Sequence, residues 1–401
     1  MRKFKVNEYI TLKLENGKTK IYVYNPKKGD YEYFIQCLYV LLRKTINELE
    51  DFIENIDSVD EMAENLEHAT RKNTKLLAIP DETRFWVHCS NLQVWVENAY
   101  DTRLIHSNLA FPLLKKLTEV GDPLAMKIFK EEIAKRFSTG YKPVIIYLIK
   151  NGYLNFLSND EVETIIHTME EENLDRAILD ITELDLSDEN GVEEKMLKKV
   201  PEIIKYCLNL KKLRIAGHRI TELPEFIVNL KSLIVLDACN NSLEKIPNNI
   251  GELISLEELN LANNGLDRLP ESIGNLKHLE EMELGQNMLK SLPESIGNLK
   301  SLKSLTLYYN GLKSLPDSIG SLRSLKSINL HHNKLESLPE SIGNLKTLEY
   351  LNLRGNNFTD VPDFLKNLKS LKTLNLSENK ILNPPIKIGD LSFSRDVLYR
   401  E

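Results

Sequence analysis

Leu-Pro-Glu-Ser-Ile-Gly-Asn-Leu-Lys occupies residues 269–277 and recurs unchanged at 292–300 and 338–346. A near copy, Leu-Pro-Asp-Ser-Ile-Gly-Ser-Leu-Arg, occupies residues 315–323. The copies follow a 23-residue spacing, and the same frame extends from about residue 210 to residue 391. Self-similarity at this period predicts coils that stack into a solenoid, because a single coil cannot bury its apolar face alone.

Within one period the apolar residues follow the pattern L-x-x-L-x-L-x-x-N, which is the signature of a leucine-rich repeat. Leu259 and Leu261 are two residues apart, so both point to the same side of a short strand. Glu258, Asn260 and Ala262 then point to the other side. We therefore expect an α/β leucine-rich-repeat solenoid, a horseshoe of 23-residue repeats whose parallel sheet lines the concave surface.

Two rows of residues in this frame predict how the coils are held together. An asparagine follows each strand and is expected to satisfy backbone groups of adjacent coils; this asparagine row comprises Asn241, Asn264, Asn287, Asn310, Asn333, Asn356 and Asn379. His218 takes the same position in the first repeat. An acidic residue after each proline and a basic residue six positions later fit the dipole of a short helix on the convex side, so these charges are interpreted as structural.

The concave residues are not dictated by the scaffold, and their chemistry changes along the chain. Early repeats offer mainly charges, and the candidate partner-binding residues among them are Glu258, Glu281 and Glu283. Later repeats offer Tyr308, Tyr309, His331, His332, Tyr350 and Arg354. Aromatic residues and arginine are common interface hot spots. We expect a contact patch through Tyr308, His331 and Arg354, the alternative being unselected surface variation.

His331 and His332 are adjacent histidines, a residue type that can bind metal ions. Adjacent residues of a strand point to opposite sides or diverge at the turn, and no carboxylate or cysteine was expected in their row. The sequence therefore predicts no metal site and no cofactor.

The stretch Leu-Pro-Glu-Ser-Ile-Gly-Asn-Leu-Lys-Ser-Leu at 292–302 resembles the Ras-group leucine-rich-repeat proteins, namely the plant intracellular set and the animal scaffold of the Ras–Raf pathway. The resemblance covers residues 210–391. It implies a cytoplasmic, non-enzymatic scaffold that engages small GTPases and phosphatases with its concave face.

A second resemblance concerns the region before the repeats. The runs Phe85–Gln93 and Asn108–Leu114 resemble a domain that precedes such repeats in uncharacterised archaeal proteins. That resemblance implies no activity.

Residues 1–178 predict an α+β, mostly helical domain. Asn16-Gly17 between two alternating segments predicts a β-hairpin over residues 9–24, with Leu12 opposite Ile21. A further element is expected over 33–42, and helices from about residue 84 over the ranges 84–100, 103–120, 123–138, 142–151 and 158–175. Residues 179–209 are interpreted as a degenerate repeat that caps the solenoid, and 392–401 as a short C-terminal tail.

Nine acidic residues lie between positions 48 and 67, and no lysine or arginine occurs from 45 to 70. The sequence leaves open whether this run is a docking site for a basic partner or a solvated segment.

A hydrolase or transferase site in residues 80–140 was the enzymatic alternative. It rests on His88, Cys89, Asp101 and His106, which combine a nucleophile type with base types. Buried cysteines are common in cores, and no G-x-G-x-x-G, H-E-x-x-H or C-x-x-C motif occurs. We therefore expect that this protein is not an enzyme.

Composition favours an intracellular chain with a protein partner. The 52 basic and 59 acidic residues give a net charge of −7, which disfavours nucleic acid and anionic membranes as partners. The N-terminus lacks an apolar core typical of a signal peptide, and the four cysteines are scattered singly. A cytoplasmic adaptor is thus predicted, with a small GTPase as the partner class implied by resemblance. An immune- or stress-type ligand sensor remains an alternative.

Overall fold

The computed structural model describes residues 2–37, 80–105, 107–168, 178–188, 196–381, 387–388 and 391–392. The acidic run at 48–67, His106 and the tail beyond Ser392 lie outside these residues. The chain divides into two compact units, residues 1–135 and 136–401. The division falls before the boundary expected at residue 178, and the limits proposed for the repeat cap stay a prediction.

The first unit opens with an antiparallel sheet of four strands in chain order. The strands are β1 (Arg2–Lys5), β2 (Ile10–Glu15), β3 (Lys18–Asn25) and β4 (Asp30–Gln36). The predicted hairpin is confirmed: Leu12 lies opposite Ile21, and the turn residues Asn16 and Gly17 both have positive φ angles, as a type I′ turn requires.

Three helices complete the described part of the first unit: α1 (Asp81–Glu97), α2 (Ser107–Glu119) and α3 (Pro123–Phe137). The helix start expected at residue 123 is confirmed, and Asp122 caps it: Asp122 Oδ1 accepts hydrogen bonds from the backbone N–H groups of Leu124 and Ala125, each at 3.0 Å. Asp122 is buried and its other oxygen accepts a hydrogen bond from the Tyr100 hydroxyl at 2.5 Å.

The second unit begins with helices α4 (Lys142–Lys150) and α5 (Asn159–Thr168), which precede the repeats. Nine short strands follow and pair in parallel in chain order, which confirms the predicted solenoid sheet. They are β5 (Glu183–Asp185), β6 (Lys212–Arg214), β7 (Val235–Asp237), β8 (Glu258–Asn260), β9 (Glu281–Glu283), β10 (Ser304–Thr306), β11 (Ser327–Asn329), β12 (Tyr350–Asn352) and β13 (Thr373–Asn375). Strands β14 (Lys387–Ile388) and β15 (Leu391–Ser392) form a separate antiparallel pair.

Most coils return through a 3₁₀ helix that starts at the acidic residue after the proline, as at Glu271–Asn275 and Glu294–Asn298, whereas one starts at Ile250. The basic residue behind it behaves as expected: Lys277 Nζ lies 2.7 Å from the carbonyl oxygen of Gly274 and so binds the end of the helix. These charges belong to the scaffold.

The asparagine row forms the predicted ladder between coils. Asn333 is buried; its Nδ2 donates to the carbonyl oxygens of Leu307 at 2.9 Å and Leu330 at 3.0 Å, while its Oδ1 accepts from Leu312 N at 3.1 Å. His218 plays the same role in the first repeat, where its Nε2 lies 2.7 Å from the carbonyl oxygen of Leu186. The row therefore satisfies backbone groups that the coils enclose.

None of the helices in the described ranges is of a length and apolarity that would let it span a bilayer.

Candidate protein-binding surface

The parallel sheet presents one face to the repeat core and one to solvent, which we call the open face. The middle residue of each strand is buried, as at Leu259, Met282 and Leu305. The first and third residues of each strand therefore line the open face, because successive side chains of a strand alternate. This alternation puts the candidate residues that lie on the strands, such as Glu258 and Glu281, on the open face.

A four-ring cluster, made of Tyr308, Tyr309, His331 and His332, lies where β10 and β11 end. The Tyr308 and His331 rings stack with centroids 4.9 Å apart and planes within 3°. The Tyr309 and His332 rings stack at 4.5 Å and 14°. Edge contacts join the two stacks, with the Tyr309 and His331 centroids 5.3 Å apart. The structure thus brings four of the predicted residues into one aromatic surface.

The cluster depends on a turn that places neighbouring residues on the same side. The residue before each asparagine of the asparagine row has a left-handed backbone, with φ of 49° at Tyr309 and 52° at His332. This turn row comprises Asn240, Asn263, Gln286, Tyr309, His332, Gly355 and Glu378. The expectation that His331 and His332 diverge is therefore wrong: their ring centroids are 5.3 Å apart.

Left-handed backbone favours glycine and asparagine, and a bulky residue there is strained. Asn240, Asn263 and Gly355 follow this preference. The other four members of the turn row do not, and Tyr309 is the largest of them. Its side chain is also 51% exposed. The scaffold therefore does not explain why a tyrosine stands at this position.

An ion pair lies beside the rings. Arg354 Nη2 is 2.6 Å from Glu378 Oε1, and the other oxygen of Glu378 is 3.8 Å from His332 Nε2. The expectation that no carboxylate shares the histidine row is wrong, since Glu378 follows His332 by two repeats. Gly355 stands between them, and a Cβ there would lie 2.5 Å from His332 Nδ1, so only glycine leaves this space. Aligning the turn row by its period would have found Glu378.

Charge and burial affect the titration of the cluster. Burial lowers the pKa of His331 below its ordinary value, and the nearby charges of His332 and Arg354 lower it further, while Glu378 raises it. The Arg354 guanidinium, through its hydrogen bond, lowers the pKa of the Glu378 carboxyl. His331 Nδ1 is hydrogen-bonded to Asn329 Oδ1 at 2.8 Å, which fixes its ring against β11.

The predicted glutamates lie on the strands next to the rings. Glu258 and Glu281 are exposed and directly opposite each other on β8 and β9. Glu283 is half-buried, and its Oε1 accepts a hydrogen bond from Thr306 Oγ1 at 2.9 Å. Burial raises the pKa of Glu283, as does the charge of Glu281, against the lowering effect of the Thr306 bond.

Tyr308 joins the glutamates to the rings. Its ring rests on the backbone of Gly285, where an added Cβ would be 2.3 Å from Tyr308 Cε1. Tyr350 is not part of this cluster, because it stands at the start of β12 in the row of Ser327 and Thr373.

The alternative catalytic residues are not arranged for chemistry. Cys89 is 1% exposed, and burial raises the pKa of its thiol to about 12. His88 is also buried, which lowers its pKa to about 4. Asp101 forms an ion pair with Arg103 at 2.6 Å, and His106 lies outside the described residues. A nucleophilic Cys89 requires a depressed pKa and access to solvent, and it has neither.

In the ranges that the structure covers, no group of three or more His, Cys, Asp or Glu side chains is arranged to hold a metal ion.

Stacked 23-residue coils, a parallel sheet and an asparagine ladder define a repeat solenoid that presents an open face for recognition. The sequence model of the family described as "Leucine-rich repeat region" matches residues 181–291, 248–328 and 294–392. These matches span just over half of the 401 residues. The chain belongs to this leucine-rich repeat family, whose fold is generally a non-enzymatic protein-interaction module.

Several solved structures are similar to the chain over about half of its length. The ectodomain of the plant membrane receptor kinase GASSHO1/SCHENGEN3 from Arabidopsis thaliana, in complex with CASPARIAN STRIP INTEGRITY FACTOR 2, is 30% identical with a TM-score of 0.45 and covers 49% of this chain and 24% of the receptor. The plant peptide hormone receptor RGFR1 in complex with RGF2 is 33% identical with a TM-score of 0.45, covering 50% and 32%.

A leucine-rich repeat protein of Leptospira interrogans is 28% identical with a TM-score of 0.35, covering 52% of this chain and 69% of that protein. The chain thus spans a third or less of the two plant receptors. No curated protein sequence matches the chain significantly.

Proposed function

We propose that this protein is a non-enzymatic adaptor that holds a protein partner on the open face of its repeats. The observation that carries the proposal is the four-ring cluster. Two of its rings stand on left-handed turn positions, one of them a tyrosine where three other repeats place asparagine or glycine. Strain of this kind persists at sites kept for recognition.

The cluster suits recognition because it is preformed. The rings are fixed by stacking on each other, and Arg354 is held by Glu378. A surface that is already ordered loses little conformational entropy when a partner binds. Tyrosine and arginine are also the residue types that contribute most to interface free energy.

The finer part of the proposal concerns partner class and setting. A small GTPase is proposed as the partner, in intracellular signal transduction, because residues 210–391 resemble Ras-group repeat scaffolds. A reducing, cytoplasmic location is consistent with four cysteines that all carry free thiols.

The burial of Cys89 and His88 weighs against the hydrolase or transferase alternative, which required a Cys89 near solvent. The ligand-sensor alternative would use the same open face. Capture of a signal ligand would favour the sensor, and capture of a protein partner would favour the adaptor.

The test uses immobilised full-length protein and a native cell extract, comparing wild type with Tyr309→Asn/His332→Asn. Asparagine occupies this turn with the same left-handed backbone at Asn240 and Asn263, so the double variant removes two rings and keeps the backbone. The control is His278→Asn, which removes an exposed imidazole outside the cluster. We expect a protein retained by wild type and the control to be lost by the double variant.

Equal retention by all three proteins would contradict the proposed face. Purified small GTPases, loaded with GDP or a non-hydrolysable GTP analogue, then test the partner class. Retention of a different kind of protein, with no GTPase bound in either state, would reject the GTPase link and keep the adaptor.

A further inference from the structure

Acid–base neighbours recur along the repeat sheet and neutralise each other across the coils. Glu183 and Lys212 are joined at 3.0 Å, Glu280 and Lys303 at 2.5 Å, and Glu349 and Lys372 at 2.5 Å. Arg214 also lies opposite Asp237 on the paired strands β6 and β7. Where both members of a facing pair on β5, β6 and β7 are charged, their charges are therefore of opposite sign.

Glu258, Glu281 and Glu283 depart from this arrangement. Glu258 lies opposite Glu281 in the parallel register, so two carboxylates meet where other coils place an acid beside a base. In the part of the chain that the structure describes, none of the three forms an ion pair with a lysine, arginine or histidine nitrogen within 4.0 Å. Like charges directly opposite each other destabilise a sheet.

The opposite charge at the other end of the cluster is already neutralised. Arg354, the arginine next to the rings, is bound to Glu378 at 2.6 Å. An acidic partner group would have to displace Glu378 before it reached Arg354. A basic group meets the three glutamates without displacing any ion pair. The uncompensated charge of this surface is therefore negative.

The glutamates adjoin aromatic faces. Tyr308 follows β10, the strand paired with β9, and its ring lies on Gly285, two residues after Glu283. Thr306, the last residue of β10, already binds Glu283. A carboxylate beside a tyrosine ring offers a guanidinium or ammonium group both an ion pair and a cation–π contact.

We propose that the open face recognises a basic protein segment, whose arginine or lysine side chains bind Glu258, Glu281 and Glu283 and stack against Tyr308. This inference rests on the proposed function and names the chemistry of its partner. Because the contact is largely electrostatic, it weakens as salt screens the charges.

The probe is a short fluorescent peptide of alternating arginine and glycine, tested by anisotropy against the full-length protein at low and physiological salt. Matched peptides carry glutamate or glutamine in place of arginine. We expect wild type to bind the arginine peptide, and Glu258→Gln/Glu281→Gln/Glu283→Gln to weaken that binding at least about tenfold.

The control variant is Glu271→Gln/Glu294→Gln/Glu340→Gln, which removes the same charge from exposed residues at the starts of 3₁₀ helices. It should bind the arginine peptide within about twofold of wild type. Thermal unfolding followed by circular dichroism checks that both variants fold. The Glu258→Gln/Glu281→Gln/Glu283→Gln variant should melt no lower than wild type, because it removes a like-charge contact.

Three results would overturn the inference: equal weakening by both variants, stronger binding of the glutamate peptide, or no peptide binding by wild type. The adaptor proposal has its own test: it fails if Tyr309→Asn/His332→Asn retains every protein that wild type captures from the extract. A partner lost by that variant yet kept by the glutamine triple variant would leave the adaptor standing and reject the basic segment.

Discussion

The asparagine row and the turn row are adjacent in sequence, yet their residues answer to different demands. Each member of the asparagine row places its amide among backbone groups of neighbouring coils, and Asn287, Asn333 and Asn356 are buried. In the turn row, Tyr309 is 51% exposed and the residue type varies from asparagine to tyrosine, histidine and glutamate. Within one repeat, the scaffold dictates a residue and leaves its neighbour open to selection for binding.

The comparison teaches where to look for function in a repeat protein. Side chains that form hydrogen bonds with backbone groups recur in every repeat, because every coil presents the same backbone groups. A residue that breaks the preference of its own turn, such as Tyr309, has no such reason. The departures from the period are therefore more informative than the repeats that define it.

The sharpest test of this contrast removes one amide from the asparagine row. Asn333→Ala leaves the N–H of Leu312 without its partner. The carbonyl oxygens of Leu307 and Leu330 each lose one of two amide donors and keep the other, from Asn310 and Asn356 respectively. A buried group left unpaired costs about 1–3 kcal/mol and each further hydrogen bond lost costs about 0.5–1.5 kcal/mol, so we expect the free energy of unfolding to fall by about 3 kcal/mol. Urea denaturation followed by circular dichroism measures this loss.

The matched control for that change is Asn263→Gly in the turn row, because glycine tolerates the left-handed backbone there. The urea concentration at its unfolding midpoint should stay close to that of wild type. Equal losses in the two variants would mean that both rows belong to the scaffold, and the contrast would fail.

The second test asks how much the rings contribute to the fold. Tyr309→Asn/His332→Asn relieves left-handed strain of about 1 kcal/mol at each site and removes a ring stack worth about 0.5–1.5 kcal/mol. The two effects oppose each other, so the free energy of unfolding should change by less than about 1 kcal/mol. The same urea titration measures it, and a loss as large as that of Asn333→Ala would assign the rings to stability.

Periodicity predicted the repeat fold well because the same physical requirements recur in every coil. The alternation around Leu259 predicted the strand and its open face, and Asn16-Gly17 predicted the hairpin from turn geometry alone. The arrangement of His331 and His332 was not predicted, because it depends on a left-handed φ that the pattern of apolar residues does not encode. Glu378 was missed because its contact with His332 spans two repeats across Gly355.

A smaller effect is expected at Glu283, at the edge of the surface, where burial and the charge of Glu281 disfavour the charged carboxylate. Because these raise its pKa above the ordinary 4.5, the folded state loses stability as pH rises from 4.5 through the folded pKa. Glu283→Gln removes that loss, so its melting temperature should slightly exceed that of wild type near neutral pH, and the difference should shrink as the pH approaches 4.5. A difference that is constant with pH would contradict the assignment to charge.

The smallest effect concerns His331, whose pKa is lowered below 6.5 chiefly by burial, with His332 and Arg354 adding to it. The unfolded chain then takes up a proton at a higher pH than the folded one, so stability is complete above pH 6.5 and declines as pH falls toward the folded pKa. Melting curves across this range should slope less for His331→Gln than for wild type, and NMR titration of the imidazole gives the pKa directly. Glu378 opposes the shift, so Glu378→Gln should lower the pKa of His331 further. A value at or above 6.5 in the wild type would mean that Glu378 governs the rings, and the turn row would then be held by charge rather than by stacking.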